Sequence, residues 1–169
     1  IGSLANASVF AVASNLGNTI QKESQKTHAR TSSGDYEMYL YKGFTGTIIP
    51  HLDNYDNFNL PYGYPFSPSG ITITNLSTDN CNIDFQTYYI SGWVSGATSG
   101  NGISGVTMTI TDNTNNLTYS TTTYYTPPVA VGYYVIYVKP GTNVTLTPSG
   151  WGYNYTPSSR SYNVSSNQT

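Results

Sequence analysis

The sequence predicts an all-β protein made of two tandem modules, and three observations support this prediction. Residues that favour strands, namely Thr, Tyr, Val and Ile, are prominent, whereas the helix formers Leu, Ala, Glu and Lys are scarce. Several segments alternate apolar and polar residues, which is the period of a half-buried strand. The two halves of the chain also carry similar sequence blocks in the same order, which indicates an internal duplication.

The composition limits the classes of partner. Charged residues make up 8% of the 169 residues, against about 25% in an average soluble domain. The net charge is −2, with six Lys plus Arg, so we expect no electrostatic binding to nucleic acid or to an anionic membrane. No stretch approaches the roughly 18 apolar residues of a membrane span. Aromatic residues reach 14%, and 17 of them are Tyr, which supplies apolar area for a core.

Two blocks of the repeat predict matching strands in the two modules. Ser3–Asn15 matches Gly102–Asn113, and both end a run of β-formers in Asn. Ser33–Pro50 matches Ala130–Pro148: in each, Gly precedes a run with a period of two residues. A Lys and a Gly then mark a turn into a second strand that ends at Pro. We expect a strand, a turn and a strand in each copy.

A third block completes the repeat and sets the expected boundaries. Gly63–Leu76 and Gly152–Val164 both place Gly-Tyr ahead of an aromatic residue, Ser/Thr-Pro-Ser and a run of β-formers. The first copy carries an insertion near 51–62, which the second copy lacks. We therefore expect the first module to span 1–88 and the second to span 89–169.

The segment Cys81–Gly96 occurs once, between the two copies. Ile83 and Phe85 alternate as in a last strand of the first module, and Ile90 and Val94 alternate as in a first strand of the second. The first module then lacks a first strand, and the second lacks a last one. Each module is expected to be open by one edge strand, whose unpaired N–H and C=O groups another chain can pair. These four residues are the strand-sharing candidates.

The repeat blocks resemble a known family. "ISGWVSGATSGNGISGVTMTI" (90–110) and "GYYVIYVKPGTNVTLTPSGWGYNYTPSSRSYNV" (132–164) are similar to the carboxypeptidase-regulatory-like, transthyretin-type modules of microbial surface proteins. The resemblance covers 90–164 well and 3–85 more loosely. It implies two tandem Ig-like, transthyretin-like β-sandwich domains at the cell surface. It implies no activity, because a fold alone does not specify one.

No catalytic motif is present, so we predict that the protein is not an enzyme. His28 and His51 are the only histidines and are well separated in the sequence. There is no nucleophile elbow, phosphate-binding loop, zinc-protease motif or paired-cysteine motif. Cys81 is the single cysteine, so it forms no disulfide within the chain; a buried thiol is favoured over an intermolecular bridge.

A weak calcium candidate lies in the insertion. Asp53 and Asp56 stand among asparagines, and Ca²⁺ prefers such oxygen ligands. Only two carboxylates are available, and the spacing does not fit an EF-hand. Ordinary turn chemistry, in which Asx side chains bond the nearby backbone, explains the cluster better. We predict no cofactor, with Ca²⁺ as the open alternative.

Two further features concern sugars. Sequons of the Asn-x-Ser/Thr type are candidates for N-glycosylation and would supply hydration that the few charges do not. They occur at Asn6, Asn75, Asn116, Asn143, Asn154, Asn163 and Asn167. Aromatic residues of the second module are candidates for a sugar-stacking platform, although on alternating strands half of them must point into the core. They are Tyr124, Tyr125, Tyr133, Tyr134, Trp151, Tyr153 and Tyr155.

Taken together, these patterns predict a non-enzymatic, extracellular structural protein. It would be a subunit or repeat segment of a surface filament, fibre or surface layer, assembled head to tail by β-strand addition. Its partners would be copies of itself or neighbouring repeats, and glycans are a further candidate. The alternative is a carbohydrate-binding or adhesin module of a secreted multidomain protein. An exposed row of aromatic rings would favour that alternative.

Overall fold

The fold is all-β, as predicted. A computed structural model describes residues 7–13, 21–23, 40, 42–52, 60–61, 63–77, 83–125 and 131–169. These residues form ten β-strands and no α-helix. Accordingly, none of the described segments is a helix of the length and hydropathy that a membrane crossing requires.

The chain divides into two compact units, Ile1–Gln86 and Thr87–Thr169. The division falls two residues before the boundary expected between 88 and 89. Each unit has its own antiparallel four-stranded sheet.

In the first unit, the sheet has the strand order β2-β1-β3-β4. Buried residues of β1 and β3 pack with Phe44, and half-buried Leu76 covers this cluster. Pro50 lies within β3, but β4 pairs only with Gly46–Ile48, so that ladder has ended before the residue that lacks an N–H. The strands are β1 (Ala7–Ala13), β2 (Gln21–Glu23), β3 (Gly46–Leu52) and β4 (Ile71–Ile73).

The second unit is β-sandwich-like, with one sheet of order β10-β9-β6-β7 and a two-stranded sheet of β5 and β8. Residues alternate between core and surface, as the period of two predicts: β6 buries Met108 and Ile110, and β8 buries Tyr134, Ile136 and Val138. Each fully buried Ile or Val contributes roughly 1.5–3 kcal/mol. The strands are β5 (Tyr88–Trp93), β6 (Thr107–Asp112), β7 (Leu117–Thr122), β8 (Tyr133–Val138), β9 (Asn143–Ser149) and β10 (Arg160–Asn163).

The sequence repeat has a counterpart in the sheet topology. The order β2-β1-β3-β4 in the first unit corresponds to β7-β6-β9-β10 in the second. The turns correspond as well: Gly43 N–H donates to Leu76 C=O at 2.9 Å, and Gly141 N–H donates to Val164 C=O at 2.8 Å. Gly43 and Gly141 have φ values of 84° and 77°, which explains why both copies place glycine after lysine.

One predicted strand of the first unit, along Ile83 and Phe85, is not among the strands of the described residues. Ile83 and Phe85 are half-buried and pack against the core cluster, as their alternation predicts. Among the described residues, however, no named strand includes them, and the pairing seen next to them is an isolated antiparallel bridge between Ser67 and Gln86. The alternation reports which side chains are apolar and carries no information about a backbone partner. The first strand of the block Ser33–Pro50 lies outside the described residues, up to residue 39.

Candidate functional site

The outer edge of β5 is the candidate site for strand addition. In an antiparallel pair, the backbone groups of successive residues point alternately toward and away from the partner strand. Gln168 bonds to the backbone of Tyr89 and Ser91, so these residues face away from β8 and the intervening Ile90 faces it. Trp93 follows the same alternation and faces outward.

The last residues of the chain form the first rung on this edge. Gln168 forms a parallel bridge with Ile90. Its N–H donates to Tyr89 C=O at 2.9 Å, and its C=O accepts from Ser91 N–H at 2.9 Å. The side chain of Asn167 adds a bond, because its Oδ1 accepts from Tyr89 N–H at 3.1 Å. Gln168 therefore forms one isolated parallel bridge on this edge, bonded to Tyr89 and Ser91 on either side of Ile90.

Beyond that rung, the edge is open among the described residues. Val94 N–H donates to Gly132 C=O, and Val94 C=O accepts from Ile103 N–H. Because successive residues alternate, the backbone N–H of the next residue, Ser95, points outward again. Ser91 C=O, Trp93 N–H and C=O, and Ser95 N–H then have no backbone partner in the described part of the chain. These groups, over residues 91–95, are called the open edge.

The opposite side of this small sheet is partly closed by the chain itself. After β7, Tyr124 N–H donates to Tyr133 C=O at 2.8 Å, and Gly132 N–H donates to Tyr124 C=O at 3.1 Å. The hydroxyl of Tyr119 donates to Tyr137 C=O at 2.7 Å. The C=O groups of Tyr133 and Tyr137 on the β8 side are thus engaged, and the β5 side is the candidate edge for strand addition.

The structure places the four strand-sharing candidates in different settings. Ile90 is fully buried under β5, and Val94 is half-buried just after that strand. Ile83 and Phe85 belong to the core of the first unit. Ile90 and Val94 therefore adjoin the open edge, whereas Ile83 and Phe85 belong to the other unit.

The sequons that the structure describes are all on the surface. Asn143 and Asn163 lie opposite each other on β9 and β10, and the Nδ2 of Asn143 donates to the Oδ1 of Asn163 at 2.8 Å. Asn6 lies outside the described residues, as do the calcium candidates Asp53 and Asp56. The exposed sequon asparagines are Asn75, Asn116, Asn143, Asn154, Asn163 and Asn167.

The aromatic candidates separate into buried and exposed sets. Tyr134 points into the core, and Tyr133 and Tyr155 are half-buried, whereas the other four are exposed. Trp93, which sequence reasoning missed, is 59% exposed. The sequence did contain a signal for its exposure. If Ile90, Gly92 and Val94 lie on the inner face of the strand, the alternation places Trp93 on the outer face.

Burial raises the pKa of two tyrosines of β8. The pKa of Tyr134 is raised chiefly by desolvation in the core and further by the proximity of Tyr162. The pKa of Tyr137 is raised by desolvation and by the nearby Tyr124. Both groups stay neutral at physiological pH, so they act as packing and hydrogen-bonding groups.

The described residues hold no cluster of three or more His, Cys, Asp and Glu side chains that could bind a metal ion. His28 and Cys81 lie outside them, and His51 packs edge-on against Phe10 at the end of β3. No protein-family model, curated protein or solved structure matches this chain.

Proposed function

We propose that this chain is a non-enzymatic structural protein of the cell surface. It is a subunit or repeat segment of a filament, fibre or surface layer, and copies join head to tail by β-strand addition. In this proposal, each unit is an Ig-like, transthyretin-like sandwich of the kind that the sequence blocks resemble. The single observation that supports it most is the open edge, where the outward backbone groups of residues 91–95 have no backbone partner among the described residues.

The physical reason is the state of the backbone groups along residues 91–95. An exposed strand edge is a ready template for another chain, and main-chain bonds supply the affinity when a strand is added. Edges that avoid pairing often carry charges or proline, as β10 does with Arg160 at its start. The open edge carries neither. A contact between different surfaces of two copies extends into a filament when it does not close on itself.

Low charge and exposed sequons favour an extracellular location for this assembly. Residues 87–169 contain only three charged side chains, so hydration of the surface rests on hydroxyls, amides and, in this proposal, glycans. The described sequon asparagines are accessible for that modification.

An assembly assay with a proline variant tests the proposal. Ser95→Pro removes one outward N–H from the open edge, whereas Ser95→Ala keeps it and serves as the matched control. We expect the unchanged chain and Ser95→Ala to form filaments in negative-stain images and to sediment as polymers as concentration rises. Ser95→Pro should remain monomeric with an unchanged circular dichroism spectrum. A chain that stays monomeric at every concentration contradicts the proposed function, and polymers of Ser95→Pro contradict the assigned edge.

A further inference from the structure

A row of aromatic rings lies on the outer face of the second unit, beside the open edge. Trp93 at the end of β5 and Tyr133 at the start of β8 are directly paired across the sheet. Their ring centroids are 5.1 Å apart, with the planes tilted by 55°. Tyr124 continues the row, with its ring 6.3 Å from that of Tyr133 and tilted by only 19°. These three residues are called the aromatic row.

The row is accessible and lies at the aromatic-rich end of its unit. Trp93 is 59% exposed and Tyr124 is 44% exposed. The other exposed large hydrophobic residues in the described part of the chain are Tyr125, Trp151 and Tyr153, which follow β7 and β9 at this end. Apolar surface concentrated in one place marks an interaction site more often than scattered residues do.

The polar atoms of the row point to the chemistry of the ligand. Neither the Nε1 of Trp93 nor the hydroxyls of Tyr124 and Tyr133 have a hydrogen-bond partner among the described residues. Elsewhere at this end such atoms are paired: the Nε1 of Trp151 donates to Gly105 C=O at 3.1 Å, and the hydroxyl of Tyr155 donates to Gly150 C=O at 2.8 Å. The row therefore combines exposed aromatic surface on Trp93 and Tyr124 with polar groups that have no partner among the described residues.

Charge excludes several ligand classes. The charged residues of 87–169 are Asp112, Lys139 and Arg160. Asp112 is buried at the far end of β6, Lys139 follows the far end of β8, and Arg160 begins β10 in the other sheet. Arg160 acts electrostatically on a residue of the sheet that bears the row, Tyr134, so a nucleic acid or an acidic peptide would find a single countercharge rather than a basic patch.

We propose that the aromatic row binds a neutral oligosaccharide. The C–H faces of a sugar ring pack on aromatic rings, while its hydroxyls pair with indole N–H and phenol groups. If a wholly apolar protein surface covered the row instead, the indole N–H of Trp93 and the hydroxyls of Tyr124 and Tyr133 would be buried without hydrogen-bond partners. Each such group would cost free energy. The saccharide belongs either to an external polysaccharide or to a glycan carried by a neighbouring copy. This binding is separate from strand addition, because it uses side chains on the sheet face and leaves the edge backbone free.

Tryptophan fluorescence tests the proposal directly. The chain has two Trp residues, so Trp151→Phe leaves Trp93 as the only reporter. Cellohexaose, maltohexaose and chitohexaose are titrated into this variant, produced without glycans. We expect saturable changes in emission with at least one of these probes. No saturable change with any of them overturns the proposal.

Two tyrosine variants supply the matched comparison. Tyr124→Ala removes a ring of the row, whereas Tyr125→Ala removes the neighbouring ring, which is 76% exposed and outside the row. In the Trp151→Phe background, Tyr124→Ala should weaken binding about tenfold, which corresponds to roughly 1.4 kcal/mol. Tyr125→Ala should change it less than twofold. Equal losses in both, or equally tight binding of a heparin hexasaccharide, overturn the proposal.

The source of the sugar is identified separately. Protein from a glycosylating host is tested for self-association with and without the bound hexasaccharide as competitor. Competition identifies glycans of neighbouring copies as the ligand, and sugar binding without competition identifies an external polysaccharide. If Trp93→Ala abolishes self-association and no probe binds, the row is a protein contact and the proposal is overturned.

Discussion

Deleting residues 167–169 tests whether the last rung stabilises the edge of β5. The deletion removes three hydrogen bonds to β5: Tyr89 N–H to the Oδ1 of Asn167, and the two backbone bonds of Gln168 with Tyr89 and Ser91. Each such bond contributes about 0.5–1.5 kcal/mol net. Ordering the backbone of the terminal residues costs about 1–2 kcal/mol per residue. The three bonds together contribute about 1.5–4.5 kcal/mol and ordering the three residues costs about 3–6 kcal/mol, so the two terms nearly cancel and we expect the global stability of the second unit to change by no more than about 1 kcal/mol, or roughly 4–8 °C in Tm.

Native-state amide hydrogen exchange measures the same effect locally. The amides of Tyr89 and Ser91 should exchange at least about tenfold faster after the deletion, since about 1.4 kcal/mol of local opening free energy is a factor of ten. The amide of Ile90 faces β8 in the pair with Ile136 and serves as the internal control. If Tyr89 and Ser91 stay as protected as in the full chain, the rung at Gln168 does not occupy this edge and the reasoning fails.

Three further predictions concern the stability of the second unit. In thermal melts, Gly132→Ala should lower stability by about 2 kcal/mol or more, because its Cβ would lie 2.4 Å from the Val94 carbonyl oxygen at a φ of +85°. Gly141→Ala is the control: its Cβ would enter open space, so it should cost about 1 kcal/mol. Asp112→Ala should cost roughly 2–4 kcal/mol in urea titrations, because this buried carboxylate accepts three bonds from residues 114 and 115; a cost below 1 kcal/mol would contradict this. The contribution of Tyr137 to stability should be fully present below pH about 10 and be lost above it, since the folded state raises the pKa of Tyr137 and so retains a proton that the unfolded chain releases. Tyr137→Phe should reduce that alkaline loss of Tm, and an unchanged alkaline loss would refute the assignment.

Much of the fold follows from patterns in the sequence. The alternation in 133–138 places Tyr134, Ile136 and Val138 inside, and the structure does the same. The repeat blocks predict equivalent strands, and the two four-stranded sheets have matching orders. Glycines at corresponding turns have positive φ in both copies. Local composition carries this information because side-chain burial and turn conformation are local properties.

Backbone partners across long sequence distances are not encoded in that way. Ile83 and Phe85 have the side-chain pattern of a strand, yet they belong to no named strand in the described part of the chain. Conversely, "SNQT" at 166–169 has no strand signal, and Gln168 still forms a parallel bridge with Ile90. Pairing in these places is decided by the tertiary positions of the chain, which periodicity does not report.

The aromatic row illustrates a second limit of sequence reasoning. Alternation predicts that half of the tyrosines face outward, and Tyr133 and Tyr134 do point to opposite faces. Only the register of β5 with β8 brings Trp93 opposite Tyr133, and only the course of the chain after β7 brings Tyr124 to them. Register depends on pairing over the whole sheet, so it could not be assigned from the sequence alone.

The structure of the assembled form, determined by cryo-electron microscopy, tests strand addition most directly. We expect a strand from a second copy to run parallel to β5 along residues 91–95, in line with the rung at Gln168, and to accept a bond from Trp93 N–H. An assembly in which copies touch elsewhere and Trp93 N–H still faces solvent would contradict this mode of joining.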